Sequence, residues 1–221
     1  MKGFIILGLS VSSVLSAQTD STQIKEIQEV SFTRRLPVSK EIINVQKDLG
    51  SKNLGQDLPI LLKNQMSVVA TSDAGNGVGY TGFRIRGSAG TSINVMLNGV
   101  PYNDSESQGT FFVNIPDMAS SASQIVIQRG VGTSSNGTAS FGASVNILTK
   151  NPDEKPYVLG QFSAGSFNTM KTSFEAGSGK FLNNLLSVSA RYSTINSDGY
   201  IDRAFSKLNS YNINALFEKG N

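Results

Sequence analysis

The sequence predicts an α+β unit followed by antiparallel β-strands of an incomplete transmembrane β-barrel, on three observations. The last third of the chain alternates apolar and polar residues with a period of two. A short apolar run bounded by small residues opens the chain, and the middle mixes one helical pattern with short β-branched runs. The 221 residues include 22 Gly, six Pro, no Cys and no His. That composition suits short strands joined by turns and excludes disulfides, thiolate chemistry, imidazole bases and the usual zinc ligands. The formal charge of +3 comes without any Lys/Arg run or basic helix, so nucleic acid is not a partner.

Taken in order, Met1 and Lys2 precede an apolar run from Phe4 to Leu15 and then Ser16, Ala17 and Gln18, which reads as a secretory signal cut after Ala17. The run is too short to anchor in a bilayer, and no later stretch is apolar for long enough to be a transmembrane helix. Residues 18–40 are polar and read as an extended tether; within it Glu26, Ile27, Gln28, Glu29, Val30, Ser31, Phe32 and Thr33 have the β-branched and aromatic character to pair as a strand with a partner. In the unit 41–152, Asp57 begins a helix whose Leu58, Leu61 and Leu62 share a face, with Pro59 in the first turn and an end near Asn64. Strands are expected over 68–71, 82–86, 93–97, 124–128 and 144–148, with Asn98-Gly99 marking a hairpin. Pro152 and Pro156 frame a linker.

The closing strands are the strongest pattern. Met170, Thr172, Phe174 and Ala176 alternate with Lys171, Ser173 and Glu175; Leu186, Val188, Ala190, Tyr192 and Thr194 alternate with Ser187, Ser189, Arg191 and Ser193. Val158, Gly160, Phe162 and Ala164 precede them, and Tyr211, Ile213, Ala215 and Phe217 follow. Alternation alone fits a soluble sandwich and a membrane barrel equally, because each has one apolar and one polar face. The export signal favours the barrel.

Two motifs are coincidences on physical grounds. Gly77-Val78-Gly79-Tyr80-Thr81-Gly82 matches a dinucleotide fingerprint, but Phe83-Arg84-Ile85-Arg86 alternates like a strand where a phosphate-binding helix is required. The glycine loop 132–138 has no Lys after its second glycine. Asp104 and Glu106 lack a metal-ligand set or a nucleophile with its base, so no catalytic residue is assigned and no cofactor or metal is expected.

Four segments resemble, in order and spacing, the plug domain of TonB-dependent outer-membrane receptors: Phe83-Arg84-Ile85-Arg86-Gly87, the run from Ile93 to Asp104, Ile127-Gln128-Arg129-Gly130, and the run from Ala139 to Lys150. The pattern departs at Asn98, Val126, Val131 and Ala143. The resemblance implies a signal peptide (1–17), a periplasmic tether (18–40) whose segment 26–33 looks like a TonB box, a plug domain (41–152), and the first strands of a truncated outer-membrane barrel (153–221). It implies TonB as the energy-coupling partner, outer-membrane lipid around the barrel, and a metal chelate such as a ferric siderophore, or a corrinoid, as ligand. It also implies plug loops facing that ligand through Asp73, Asn76, Tyr80, Tyr102, Asn103, Asp104 and Phe111. Arg86 and Arg129 each precede a glycine at a strand end, where a guanidinium can pair with a carboxylate of the barrel wall. Receptors of this kind are transporters, not enzymes. The alternatives are a passive or adhesive outer-membrane barrel and a soluble secreted β-rich binding domain.

Overall fold

The computed structural model describes residues 39–131 and 141–218. The export signal, residues 18–38 of the tether with its docking segment 26–33, and the glycine loop 132–138 lie outside the described residues; Ser39 and Lys40, expected to end the tether, begin the first strand. The first part comprises β1 (Ser39–Asn44), α1 (Leu58–Leu61), β2 (Val68–Ser72), β3 (Thr81–Ile85), β4 (Ile93–Leu97), β5 (Val100–Pro101), α2 (Met118–Ser121), β6 (Ala122–Arg129) and β7 (Ala143–Thr149). The second is a wall of β8 (Pro156–Ala164), β9 (Met170–Phe181), β10 (Leu186–Ser197) and β11 (Ser206–Phe217).

A mixed sheet in the order β1-β6-β7-β4-β5 organises the first part, with β4 parallel to β7 and the other pairs antiparallel. Its central strands bury Ile93 and Val95 on β4, Ile125 and Ile127 on β6, and Val145 and Ile147 on β7, while Asn94, Gln128, Arg129 and Ser144 are buried polar positions on the same strands. The apolar residues pack with Leu58, Leu61 and Leu62 and with Phe83 and Phe112, whose ring centroids are 5.3 Å apart. The helix stops at Leu61, earlier than the expected Asn64, because Lys63, Asn64 and Gln65 offer no further apolar stripe and the chain must reverse into β2 through Ser67 at φ 60°. The hairpin turn has both Asn98 (φ 52°) and Gly99 (φ 82°) in the left-handed region that a two-residue turn of this twist demands.

The wall is an antiparallel meander in the order β11-β10-β9-β8. Its burial is inverted relative to a soluble sheet. The apolar face carries exposed Val158, Phe162, Phe174, Tyr192, Tyr211, Ile213 and Phe217, whereas Lys171, Ser173, Ser187, Ser189, Arg191 and Ser193 on the polar face are buried. Small serines allow the first part to approach the wall closely. At Gly177 an added Cβ would lie 2.2 Å from Tyr157 Cε1, so the glycine makes room for that ring to lie across the neighbouring strand.

Candidate functional site

The first part meets the wall at an ion cluster. Asp117, just ahead of α2, has left-handed backbone angles (φ 54°, ψ 29°) and does not cap its helix. Its Oδ1 accepts from Lys171 Nζ at 2.6 Å and from Ser120 Oγ at 2.6 Å, and its Oδ2 accepts from Arg191 Nη1 at 2.5 Å. Lys171 also donates to Ser120 Oγ at 2.7 Å, and Arg191 donates to Ser121 Oγ through Nε at 3.0 Å and Nη2 at 2.6 Å. The Lys171, Asp117 and Arg191 side chains are 1%, 0% and 4% exposed, so this is a desolvated cluster whose members depend on one another. Sequence reading placed the charges of the wall on the polar face but gave Lys171 and Arg191 no partner. The available signal was a lysine and an arginine standing on faces otherwise lined by serine.

A second junction lies at one end of the wall. In a meander the connections 165–169 and 198–205 share one end, while 182–185 shares the other with the linker, where Lys180 pairs with Glu154 at 2.9 Å. The loop 73–80 sits at the end away from the linker. Tyr200 N–H donates to Ala74 O at 2.9 Å, Asn76 Nδ2 donates to Ser197 Oγ, and a Cβ on Gly75 would lie 2.9 Å from the Tyr200 ring. Tyr200 in turn meets Phe167 edge to face at 5.3 Å, joining the two connections at that end.

Among the seven residues expected to face a ligand, three side chains are held by neighbours. Asn76 clasps the wall. Asn103 accepts from Val95 N–H at 2.7 Å and donates to Ile93 O and Gln108 O, which ties the 102–111 loop to the edge of β4. Asp104 Oδ1 accepts from Ser107 N–H at 2.7 Å and Ser107 Oγ at 2.8 Å, and these bonds hold its carboxyl below the usual range. Tyr80 and Phe111 are exposed, Tyr102 is half-buried with its phenol pushed up by burial, and Asp73 donates its N–H to Tyr80 O at 3.0 Å. Beneath the 73–80 loop, Asp57 is buried; burial raises its carboxyl to about 6, partly offset by bonds from the Thr81 hydroxyl (2.9 Å) and the Gly79 N–H. Gly82 lies inside β3, so the glycine pattern 77–82 opens onto a strand and presents no helix to a nucleotide.

The two arginines differ. Arg129 is buried; its guanidinium pairs with Glu41 on β1 and donates from Nε to Met66 O at 3.0 Å, a bond set within the first part of the chain. Arg86 is exposed at φ 51°, and its Nη1 lies 3.5 Å from where a Cβ on Gly130 would stand. A polar cavity of about 340 Å³ runs between the first part and the wall, lined on one side by Asn53, Ser120 and Lys150 and on the other by Gln161, Ser173 and Glu175. Among the described residues, no group of His, Cys, Asp and Glu could hold a metal ion.

Residues 33–144 match the family model described as the TonB-dependent receptor plug domain. No curated protein matches the chain. Similar solved structures include a chain of the FpvAI–pyocin S2 complex, at 14% identity and a TM-score of 0.63 over 83% of this chain and 24% of that one. They also include the ferric yersiniabactin uptake receptor FyuA from Yersinia pestis, at 16% identity and a TM-score of 0.60 over 80% and 28%. The siderophore receptor PirA from Acinetobacter baumannii follows at 18% identity and a TM-score of 0.54 over 72% and 24%. The chain therefore spans about a quarter of the length of the structures it resembles.

Proposed function

From the premise that this chain belongs to the TonB-dependent receptor plug-domain family, we propose that it is the N-terminal part of an outer-membrane receptor for energy-coupled uptake of a metal chelate, a ferric siderophore ahead of a corrinoid. The observation that carries the reading is the inverted wall: strands apolar on their exposed face hold an α+β unit against their serine-lined polar face. That arrangement suits a lipid-facing barrel with a plug inside, and disfavours a soluble binding domain, which would leave Tyr211, Ile213 and Phe217 without cover. The similar structures described as a ferric yersiniabactin uptake receptor and a siderophore receptor support the choice of ligand class.

The outer membrane has no nucleotide supply, so work must arrive mechanically. Ligand settles on the plug loops, with exposed Tyr80 at the end of the wall away from the linker and exposed Phe111 of the 102–111 loop offering aromatic surface to a bulky chelate. Occupancy frees the tether, and segment 26–33 adds as a strand to TonB. Arg86, exposed in the described residues, is available to pair with an acid of a further part of the wall. A passive barrel needs no such docking strand.

Uptake of a panel of radio-iron siderophores by cells carrying the full-length protein tests the reading. Strand addition relies on backbone hydrogen bonds, so Val30→Pro is expected to abolish uptake and Val30→Ala to reduce it little, with chelate binding kept in both. Undiminished uptake by Val30→Pro would remove the tether from the mechanism, and failure of every chelate to enter would remove the transport assignment.

A further inference from the structure

We propose that Asp117 is the latch that seals the passage: a positioning residue whose single carboxylate, shared by Lys171 and Arg191, holds the plug against the wall. The inference rests on the reading of the chain as a plug within a transport barrel, and it assigns a gating role to a residue of the plug–wall interface. The sequence pointed to plug arginines reaching for acids of the wall. The observed hold has the opposite polarity, with a plug acid grasped by two cations of the wall.

The geometry favours a latch over an incidental surface pair. Asp117 makes no side-chain cap to the backbone of α2 and adopts left-handed backbone angles, and both charged partners of its carboxylate come from the wall, with Ser120 of α2 donating alongside them. The two cations come from adjacent strands but are not cross-strand partners, since Lys171 lies opposite Ile195 and Arg191 opposite Glu175. One carboxylate therefore bridges two separate points of the wall. Without it, two like charges would be left buried with no carboxylate between them, a state relieved by letting water in. The route for that water adjoins the latch: the polar cavity of about 340 Å³ is lined by Ser120 and Ser173, next to the cluster. Asp117 also lies on the path along which tension would travel. The last two residues of the tether and the chain that follows them form β1, which pairs along its length with β6, and β6 follows directly from α2. Displacing β1 and β6 thus works against the Asp117 contacts.

The test uses purified full-length protein in liposomes loaded with carboxyfluorescein, without chelate or TonB, after heat-modifiable gel mobility has established barrel assembly. Asp117→Asn and Lys171→Met are each expected to raise dye efflux, the former roughly tenfold, equivalent to about 1.4 kcal/mol in the closed-to-open ratio. Because both changes break one unit, the double variant should be no leakier than Asp117→Asn. Efflux unchanged in both single variants would overturn the proposal. So would a double variant whose efflux is the product of the two single effects, because Asp117 would then act only locally on α2. If Asp117→Asn does not assemble, Lys171→Met decides alone, since it keeps the Asp117–Arg191 pair: raised efflux supports the latch and unchanged efflux overturns it. Absence of chelate uptake by the unaltered protein would remove the transport reading while leaving the efflux result standing.

Discussion

Asp57 shows how one buried side chain sets a pH dependence for the loop above it. Its carboxyl is raised from 3.8 to about 6, chiefly by burial, so between those values the folded chain holds more protons than the unfolded one. The sign follows: stability from this group is fully present below about pH 4 and is lost as pH rises through about 6. The shift corresponds to roughly 3 kcal/mol. Asp57→Asn carries no charge to desolvate, so urea unfolding of the plug should lose most of the difference between pH 5 and pH 7.5 that the unaltered protein shows. An equal pH dependence in the variant would place the titrating group elsewhere. The sequence marked Asp57 only as the start of a helix, because its burial depends on the loop 77–81 folding back over it. The Asp117 cluster was illegible for the same reason: its partners lie 54 and 74 residues away.

At the scale of elements, the β4–β5 hairpin was readable from Asn98-Gly99 alone, since its requirement is local. What the dipeptide did not disclose is that the turn is bolted to β7. Asn98 Oδ1 accepts from Thr149 N–H at 2.9 Å, Asn98 N–H donates to Ile147 O at 2.9 Å, and Gly99 N–H donates to Asn146 Oδ1 at 3.0 Å. Asn98→Ala removes the acceptor for Thr149 and places a less tolerant residue at positive φ, so a loss of about 1–3 kcal/mol is expected in urea unfolding. Asn98→Asp keeps an acceptor there and should lose less. Strand β1 escaped the sequence reading for the converse reason. Along Ser39–Asn44 only Ile43 is buried among the hydrophobic residues of the strand and Ile42 is exposed, so no alternation marks it; its place comes from pairing with β6 and from the Glu41–Arg129 bond. A polar edge strand is a product of its neighbour more than of its own residues.

Across the whole molecule, the period-two pattern of the last third was fully legible as strands, and burial decides what the pattern alone left open. Apolar residues face outward on all four wall strands, and the face turned to the plug carries serines and the buried cations. Ile213 gives the sharpest test. It is 76% exposed near the middle of β11, so in a water-soluble protein Ile213→Lys would cost almost nothing. On a lipid-facing strand the same change places an ammonium in the hydrocarbon layer, at a cost of about 2–4 kcal/mol near the midplane. Asn214, the next position to point inward, should accept lysine with much less loss because that face is polar. Folding of the full-length protein into phosphatidylcholine vesicles, titrated with urea and read by heat-modifiable mobility, separates the two environments. Destabilisation by Ile213→Lys but little by Asn214→Lys is the expected result. The reverse order would put water where the proposed barrel requires lipid, and would undo that proposal together with the plug's role inside it.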